Sequence, residues 1–372
     1  MQLSRLLSAF ITFVLFFFQL ESSPAKTFEV PTSFRQPHPM NWLHSTPVGE
    51  TPGWNNEKWF FFELSNSNIW NAPLTMTNTK NGDTYVYEAD YEQVTAIAEV
   101  GTAVTKKLAL ALELPFAYRN GGFLDNIIED AHDIVGTRNF NREFYSQNRR
   151  RFSTSTNGNK GYTNANLSHF SSVKTKLKWW AKKCRDQKTS TCGLSLSTQL
   201  KLPLESSNQG GTNDKIEGSV LLHAGRSFFK GFNAWATAGF SRLRRDDNMP
   251  GWPLLKNHQM FELNFDYALN NKWGAFLTFR TQSPFLDRNQ LTYEDSETDA
   301  RLRSNNRAAT GWNSLVRWQG AEAIGIRYRK KNRQMSFAFS EDWGLGSYDA
   351  SSHIYSNNAP DVNFIFQASW GY

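Results

Sequence analysis

Apolar residues recur at every second position through much of this 372-residue chain, and that spacing leaves few folds open. Leu108-Ala-Leu110-Ala-Leu112-Glu-Leu114-Pro-Phe116 and Leu194-Ser-Leu196-Ser-Thr198-Gln-Leu200-Lys-Leu202 each set aliphatics on one face and small or polar groups on the other, the signature of half-buried strands. Similar stretches run near 58–68, 91–103, 168–180, 218–228, 232–242, 258–269, 273–283, 334–342 and 361–372. In the last of these, Val362, Phe364, Phe366, Ala368, Trp370 and Tyr372 share a face. A one-sided apolar strand ending on an aromatic is what outer-membrane barrels present to their assembly machinery, so the C-terminal strand is expected to engage it.

Composition points the same way. Phe, Trp and Tyr make up 15% of the chain although hydrophobic residues reach only 39%. A helical membrane protein needs apolar runs of roughly 20 residues, and past the N-terminus there are none. A barrel alternates lipid-facing with lumen-facing residues and carries aromatic girdles, so it looks polar on average. The one apolar run, Leu6 to Leu20, follows Arg5 and precedes the small residues Ser23 and Ala25, which reads as a secretory signal over 1–25. Export permits a local disulfide between Cys184 and Cys192, whose spacing suits neither a redox motif nor a metal site.

The expected fold is all-β, a transmembrane antiparallel β-barrel over 57–372 with about twelve strands. Short turns near Lys230, Asn271 and Lys331 would lie on the periplasmic side and long loops outside. Those turns share a side only if Gly311 to Arg329 is one tilted strand, and an extra crossing at Thr84 to Tyr91 would raise the count to fourteen. Residues 26–56, with Pro31, Pro37, Pro39, Pro47 and Pro52, cannot form a central strand because each Pro removes a ladder donor. They form either a periplasmic tail or a plug.

Between Tyr118 and Asn166 the alternation stops. There Phe123, Leu124, Ile127, Ile128, Ala131, Ile134 and Val135 recur at helical spacing, away from Asp125, Glu129, Asp130 and Asp133. The spacing predicts a short amphipathic helix in an extracellular loop. It packs on the barrel rim as a cap, or folds inward as a gate with His132 as a ligand contact.

With Val173, Thr175, Leu177 and Trp179 facing lipid, Lys174, Lys176 and Lys178 form a ladder into the lumen. The reverse phase would cost roughly 2–4 kcal/mol per cation near the midplane. The same phasing turns Lys201, Arg280, Arg317, Arg327 and Arg329 inward against Glu99, Glu113, Glu262 and Asp266, so basic groups outnumber acidic ones. Such a lining favours anions. Alternatively, the charges pair across strands and close a narrow, filled lumen.

The tracts ELPFAYRNGGFLDNIIEDAHDIVG (Glu113 to Gly136), FSEDW (Phe339 to Trp343) and APDVNFIF (Ala359 to Phe366), and more weakly FRQPHPMNWLH (Phe34 to His44), carry a resemblance. The chain is similar over nearly all its mature length to uncharacterised proteobacterial outer-membrane proteins grouped as domain of unknown function number 3187. Gln36 and His38 depart from the Asn-rich neighbours expected there, and Asp287 to Asn306 is longer than usual. The resemblance implies an outer-membrane barrel and leaves its chemistry open.

A barrel lipid hydrolase would need a Ser activated by an oriented His. None of the seven His lies in a His-x-Ser-Asn-Gly pattern, and neither His169 with Ser171 nor Ser352 with His353 has a third partner fixed by spacing. Asp246-Asp247 and Glu294-Asp295 lack the alternating oxygen ligands of a calcium loop. Arg149-Arg150-Arg151 suits lipid phosphates better than nucleic acid, since the net charge of +7 is spread over a membrane protein. The expectation is a non-enzymatic channel or diffusion facilitator for small, anionic solutes, without metal or cofactor, in contact with outer-membrane lipid and lipopolysaccharide. The competing readings are a closed structural barrel binding lipopolysaccharide or a partner through its loops and, last, a lipid hydrolase.

Overall fold

The computed structural model describes residues 34–36, 38–54, 57–135, 149–163, 168–183, 192–204, 212–229, 231–294, 307–330, 333–341, 354–355 and 362–371. The proposed signal at 1–25 lies outside them, as do Cys184 and residues 26–33. Twelve strands form a closed antiparallel barrel. They are β1 (Lys58–Asn78), β2 (Thr84–Ala103), β3 (Leu108–Asn120), β4 (Ser172–Lys183), β5 (Gly193–Pro203), β6 (Glu217–Phe229), β7 (Phe232–Arg242), β8 (Asn257–Ala268), β9 (Trp273–Gln282), β10 (Trp318–Lys330), β11 (Arg333–Glu341) and β12 (Val362–Gly371). Each pairs with the next in the chain, and β1 closes on β12 from Trp59↔Gly371 to Asn68↔Val362.

Phase follows the period-2 pattern because successive side chains leave opposite faces. On β3 Leu110 and Leu112 are exposed to the lipid side while Ala109, Ala111 and Glu113 are buried inside. The tight connections 104–107 and 269–272 fall at the end that carries Lys58 and Gly371, and the long connections fall at the other, together with the short β1–β2 turn at 79–83. Barrels keep short turns periplasmic, which sets the second end outside the cell. An apolar outer wall around a polar interior, closed with no free edge, belongs in the bacterial outer membrane.

Two strand assignments change. Residues 311–316 belong to a helix, Arg307–Val316, and β10 begins only at Trp318. The helix wins because Trp312, Leu315 and Val316, at helical spacing, are buried in the apolar cluster at the extracellular end of the barrel. Thr84 to Tyr91 is no separate crossing either: β2 runs unbroken through it, paired with β1 from Lys58↔Thr102 to Thr77↔Thr84. The register slips between Asn71 and Leu74, where Pro73 has no N–H for the ladder.

β1 and β2 therefore rise beyond the wall and found an extracellular cap. A hairpin, Arg151–Thr156 with Asn159–Thr163, adds to β2, and Leu291–Glu294 adds to β1. The hairpin turns at Asn157-Gly158, both in the positive-φ region that a two-residue turn demands. Tyr85, Tyr87, Tyr91, Phe152, Trp252, Phe285 and Trp312 are buried together in this cap. The stretches 244–258 and 287–306, expected as plain external loops, supply Met249, Trp252 and Leu291 to it.

Three α-helices are described: α1 (Pro39–Leu43), α2 (Leu124–Val135) and α3 (Arg307–Val316). In α2, Leu124 and Ile128 are buried against Val362 beside Phe339 and Phe364. Those partners are on the lipid-facing phase of β11 and β12, so α2 lies on the outer wall near the rim and not in the lumen. The inward gate is thereby corrected. Its polar ties explain the placement: Asn68 Nδ2 donates to Asp125 at 2.9 Å, and the Leu124 N–H donates to Glu92, which fastens the helix to β1 and β2 on the outer face.

Candidate functional site: the occupied lumen

Residues 34–36 and 38–54 lie inside the barrel and fill it. From Phe34, buried against Phe276, Ala323, Ala338 and Ile365, this strap rises to α1 beneath the cap and descends to Trp54, which packs on Trp180 with ring centroids 5.3 Å apart. Proline suits this course, since an irregular chain needs no strand partners. At α1, Pro39 takes a first-turn position where its missing N–H costs nothing, and His38 Nδ1 accepts from the Met40 N–H at 3.2 Å. Burial holds the His38 imidazole down at about 3.

The strap is held mainly through its backbone carbonyls, which find few partners within the strap itself. Arg280 donates to the Phe34 and Pro47 carbonyls at 3.1 and 2.9 Å, Ser241 to Ser45 at 2.7 Å, and Lys201 and Lys178 to Leu43 and Thr51. Glu217 accepts from the Ser45 N–H at 2.6 Å and lies 2.8 Å from His44 Nδ1. Close approach is built in: a Cβ on Gly239 would strike Pro47, and one on Gly49 would strike the Glu262 carboxylate.

One ion network, joined through Lys176, fixes the strap's charged residues. Arg35 donates to Glu113 at 2.6 Å and reaches Glu63 at 3.8 Å. Glu113 also faces Lys176 at 3.0 Å and Lys174 at 3.5 Å. Glu50 accepts from Lys176 at 2.9 Å and Lys178 at 3.1 Å, while Lys176 meets Glu99 at 2.7 Å. A cavity of about 40 Å³, room for a water or two, remains between the strap and the wall near Arg35, Glu63, Thr95, Lys174 and Arg280.

The ladder Lys174, Lys176 and Lys178 thus faces inward but meets carboxylates instead of an open path. Lys201 is bound to the strap, Arg280 faces Glu262 at 3.6 Å, and Arg327 faces Asp266 at 3.3 Å. Arg329 occupies the inward phase at the periplasmic end of β10. Arg317 is not on the wall: it sits at the junction of α3 and β10. Phe123, just ahead of α2, and Ile127 on it are exposed, whereas Leu124 and Ile128 are buried, and the His132 side chain lies outside the described residues. Cys192 is buried and disulfide-bonded.

The excess of inward base is reduced as well. Glu63 and Glu217, both inward and buried, were legible from their strand phase but were not counted, and the strap contributes Glu50, which no periodicity could assign. A further group passed over is Ser197, His223 and Thr237. Ser197 Oγ lies 2.8 Å from His223 Nε2, and Thr237 Oγ1 lies 3.0 Å from Nδ1. The ring is oriented by a hydroxyl and not a carboxylate, and all three residues are buried under the strap. The arrangement satisfies buried polar groups and offers a substrate no access. Among the described residues no group of three or more His, Cys, Asp or Glu side chains could hold a metal ion.

The family described as "Protein of unknown function (DUF3187)" matches residues 55–298. No curated protein matches the sequence. Among solved structures, the COG4313 outer membrane channel from Pseudomonas putida F1 is similar at a TM-score of 0.48 and 7% identity, over 85% of this chain and 95% of that one. A FadL homologue of Pseudomonas aeruginosa aligns with a TM-score of 0.39 and 8% identity, over 92% and 99% of the two chains. A NanC porin aligns with a TM-score of 0.37 and 7% identity, over 84% and 100%.

Proposed function

This chain belongs to the family described as a protein of unknown function, DUF3187, and for this member we propose a strap-gated diffusion channel for small polar solutes, shut in the state described above. The observation that carries the reading is the chemistry of the strap's seat. Its carbonyls are held by Arg280, Lys201, Lys178 and Ser241, and its charges by Glu113, Lys176 and Lys178. Water can replace each of these partners, so each hydrogen bond contributes only about 0.5–1.5 kcal/mol net, or about 1.5–3 where one group is charged. An apolar plug would have no such substitute in water.

With the strap displaced, the bared wall carries eight cations, Arg119, Lys174, Lys176, Lys178, Lys201, Arg280, Arg327 and Arg329, against six carboxylates, Glu63, Glu99, Glu113, Glu217, Glu262 and Asp266. That small excess supports weak charge preference in place of the anion filter expected from the Lys ladder. The buried aromatic cap favours the rival reading, a permanently closed structural barrel. Planar-bilayer recording separates the two. Full-length protein is expected to be mostly silent with rare openings, and a variant lacking 34–54 to conduct steadily. A variant without 34–54 that keeps the heat-dependent gel migration of a folded barrel, yet passes no current, would sink the channel.

A further inference from the structure

The outer flank of the barrel mouth presents a surface that the lumen does not use. Helix α2 turns Leu124 and Ile128 to the wall; on the side turned away Ile127 is 51% exposed beside the exposed Asp130, and Phe123, just ahead of the helix, is 62% exposed. Phe123 and Ile127 continue the lipid-facing belt through Tyr118 and Phe170, which are also exposed. Two residues above Glu92, where α2 is tied, β2 reaches Asp90, in register with Arg151. That is a rise of about 7 Å toward the exterior. There Arg149 closes on Glu88 at 3.0 Å and Asp90 at 3.2 Å, so that Arg149, Arg150 and Arg151 together outnumber these two carboxylates. Arg150 is exposed, and Arg151 keeps 60% of its side chain exposed although Glu88 lies 3.7 Å away.

We propose that this flank binds a phosphate-bearing lipid of the outer leaflet, lipopolysaccharide, with Phe123 and Ile127 against its acyl chains and Arg150 and Arg151 on its phosphates. The vertical order is the argument. Apolar side chains lie at the depth of the lipid-facing belt and guanidinium groups one strand step above, the order in which an anionic lipid presents tails and headgroup. An amphipathic helix lying in the interface buries an apolar face among acyl chains, and guanidinium forks match phosphate oxygens in pairs. The site lies outside the barrel wall and is independent of whether the lumen conducts.

The full chain, placed in phosphatidylcholine nanodiscs and titrated with bis-phosphorylated lipid A, is scored by native mass spectrometry. Saturable adducts are expected, reduced at least tenfold by Arg150→Glu with Arg151→Glu and by Phe123→Ser with Ile127→Ser, each folded by gel migration. Should either variant fail to fold, dephosphorylated lipid A on the unaltered chain decides: the site predicts at least tenfold weaker retention. Equal retention of the dephosphorylated lipid, undiminished adducts in the folded arginine variant, or full competition by inorganic phosphate at equal concentration overturns the assignment.

Discussion

Glu113 offers the sharpest probe of the gate, because it joins one strap cation to two wall cations in a site closed to solvent. Its carboxylate takes Arg35 at 2.6 Å, Lys176 at 3.0 Å and Lys174 at 3.5 Å, and it is 0% exposed. Glu113→Gln keeps the volume and removes the charge. For the barrel as a whole, stripping one partner from a buried ion cluster costs about 3–5 kcal/mol. Gating responds to only part of this. Lys174 and Lys176 lose Glu113 whether the strap is docked or not, so their share cancels in the open-to-closed ratio. What remains is the Arg35 bond, about 1.5–3 kcal/mol for a hydrogen bond between charged groups. That corresponds to an open probability raised about 10- to 150-fold. Single-channel recording reads the change, and denaturant unfolding reads the larger loss of stability. Arg35→Gln should raise opening by a similar factor and add little to Glu113→Gln in a double-mutant cycle. A Glu113→Gln barrel that loses stability but opens no more often, while deletion of 34–54 does open it, would show that this cluster holds up the wall and not the strap.

Acid should also loosen the strap. His38 is held near 3 by burial against an ordinary 6.5, so the released strap binds the extra proton and docking weakens as pH falls from 6.5 toward 3, by about 1.4 kcal/mol per pH unit. Opening should therefore rise on acidification, and His38→Asn, which keeps an acceptor for the Met40 N–H, should remove His38's share of that slope; an unchanged slope would refute its origin in His38. In the cap, Phe285 is fully buried, with His258, His38 and His44 stacked on it at 4.6, 5.7 and 6.2 Å. Phe285→Ala is expected to cost about 3–5 kcal/mol in urea unfolding, and a loss under about 1 kcal/mol would mean that the cap adds little to stability.

Strand phase was readable wherever one face meets lipid. Leu108 to Phe116 and Leu194 to Leu202 need no tertiary information, because a one-residue slip would carry every apolar group to the wrong side. The apolar spacing of 123–135 was equally plain as a helix, but not its seat: the same stripe would fit a rim, a lumen or an outer wall, and the ties to Glu92 and Asn68 decided it. At 311–316 local pattern misled, since a short apolar run reads as strand or helix alike until its packing partners are known.

Alternation by itself determined a closed sheet, its lipid side, its strand number within narrow limits and its membrane, because in that setting each residue answers to solvent on its own face. Whether the interior is open was settled only by tertiary structure. Arg35 meets Glu113 across 78 residues of chain and Arg280 meets the Phe34 carbonyl across 246, and a proline-rich strap has no period to announce such partners. The charges that a strand pattern reads as a pore lining are, once the chain folds back through its own barrel, the seat of that strap.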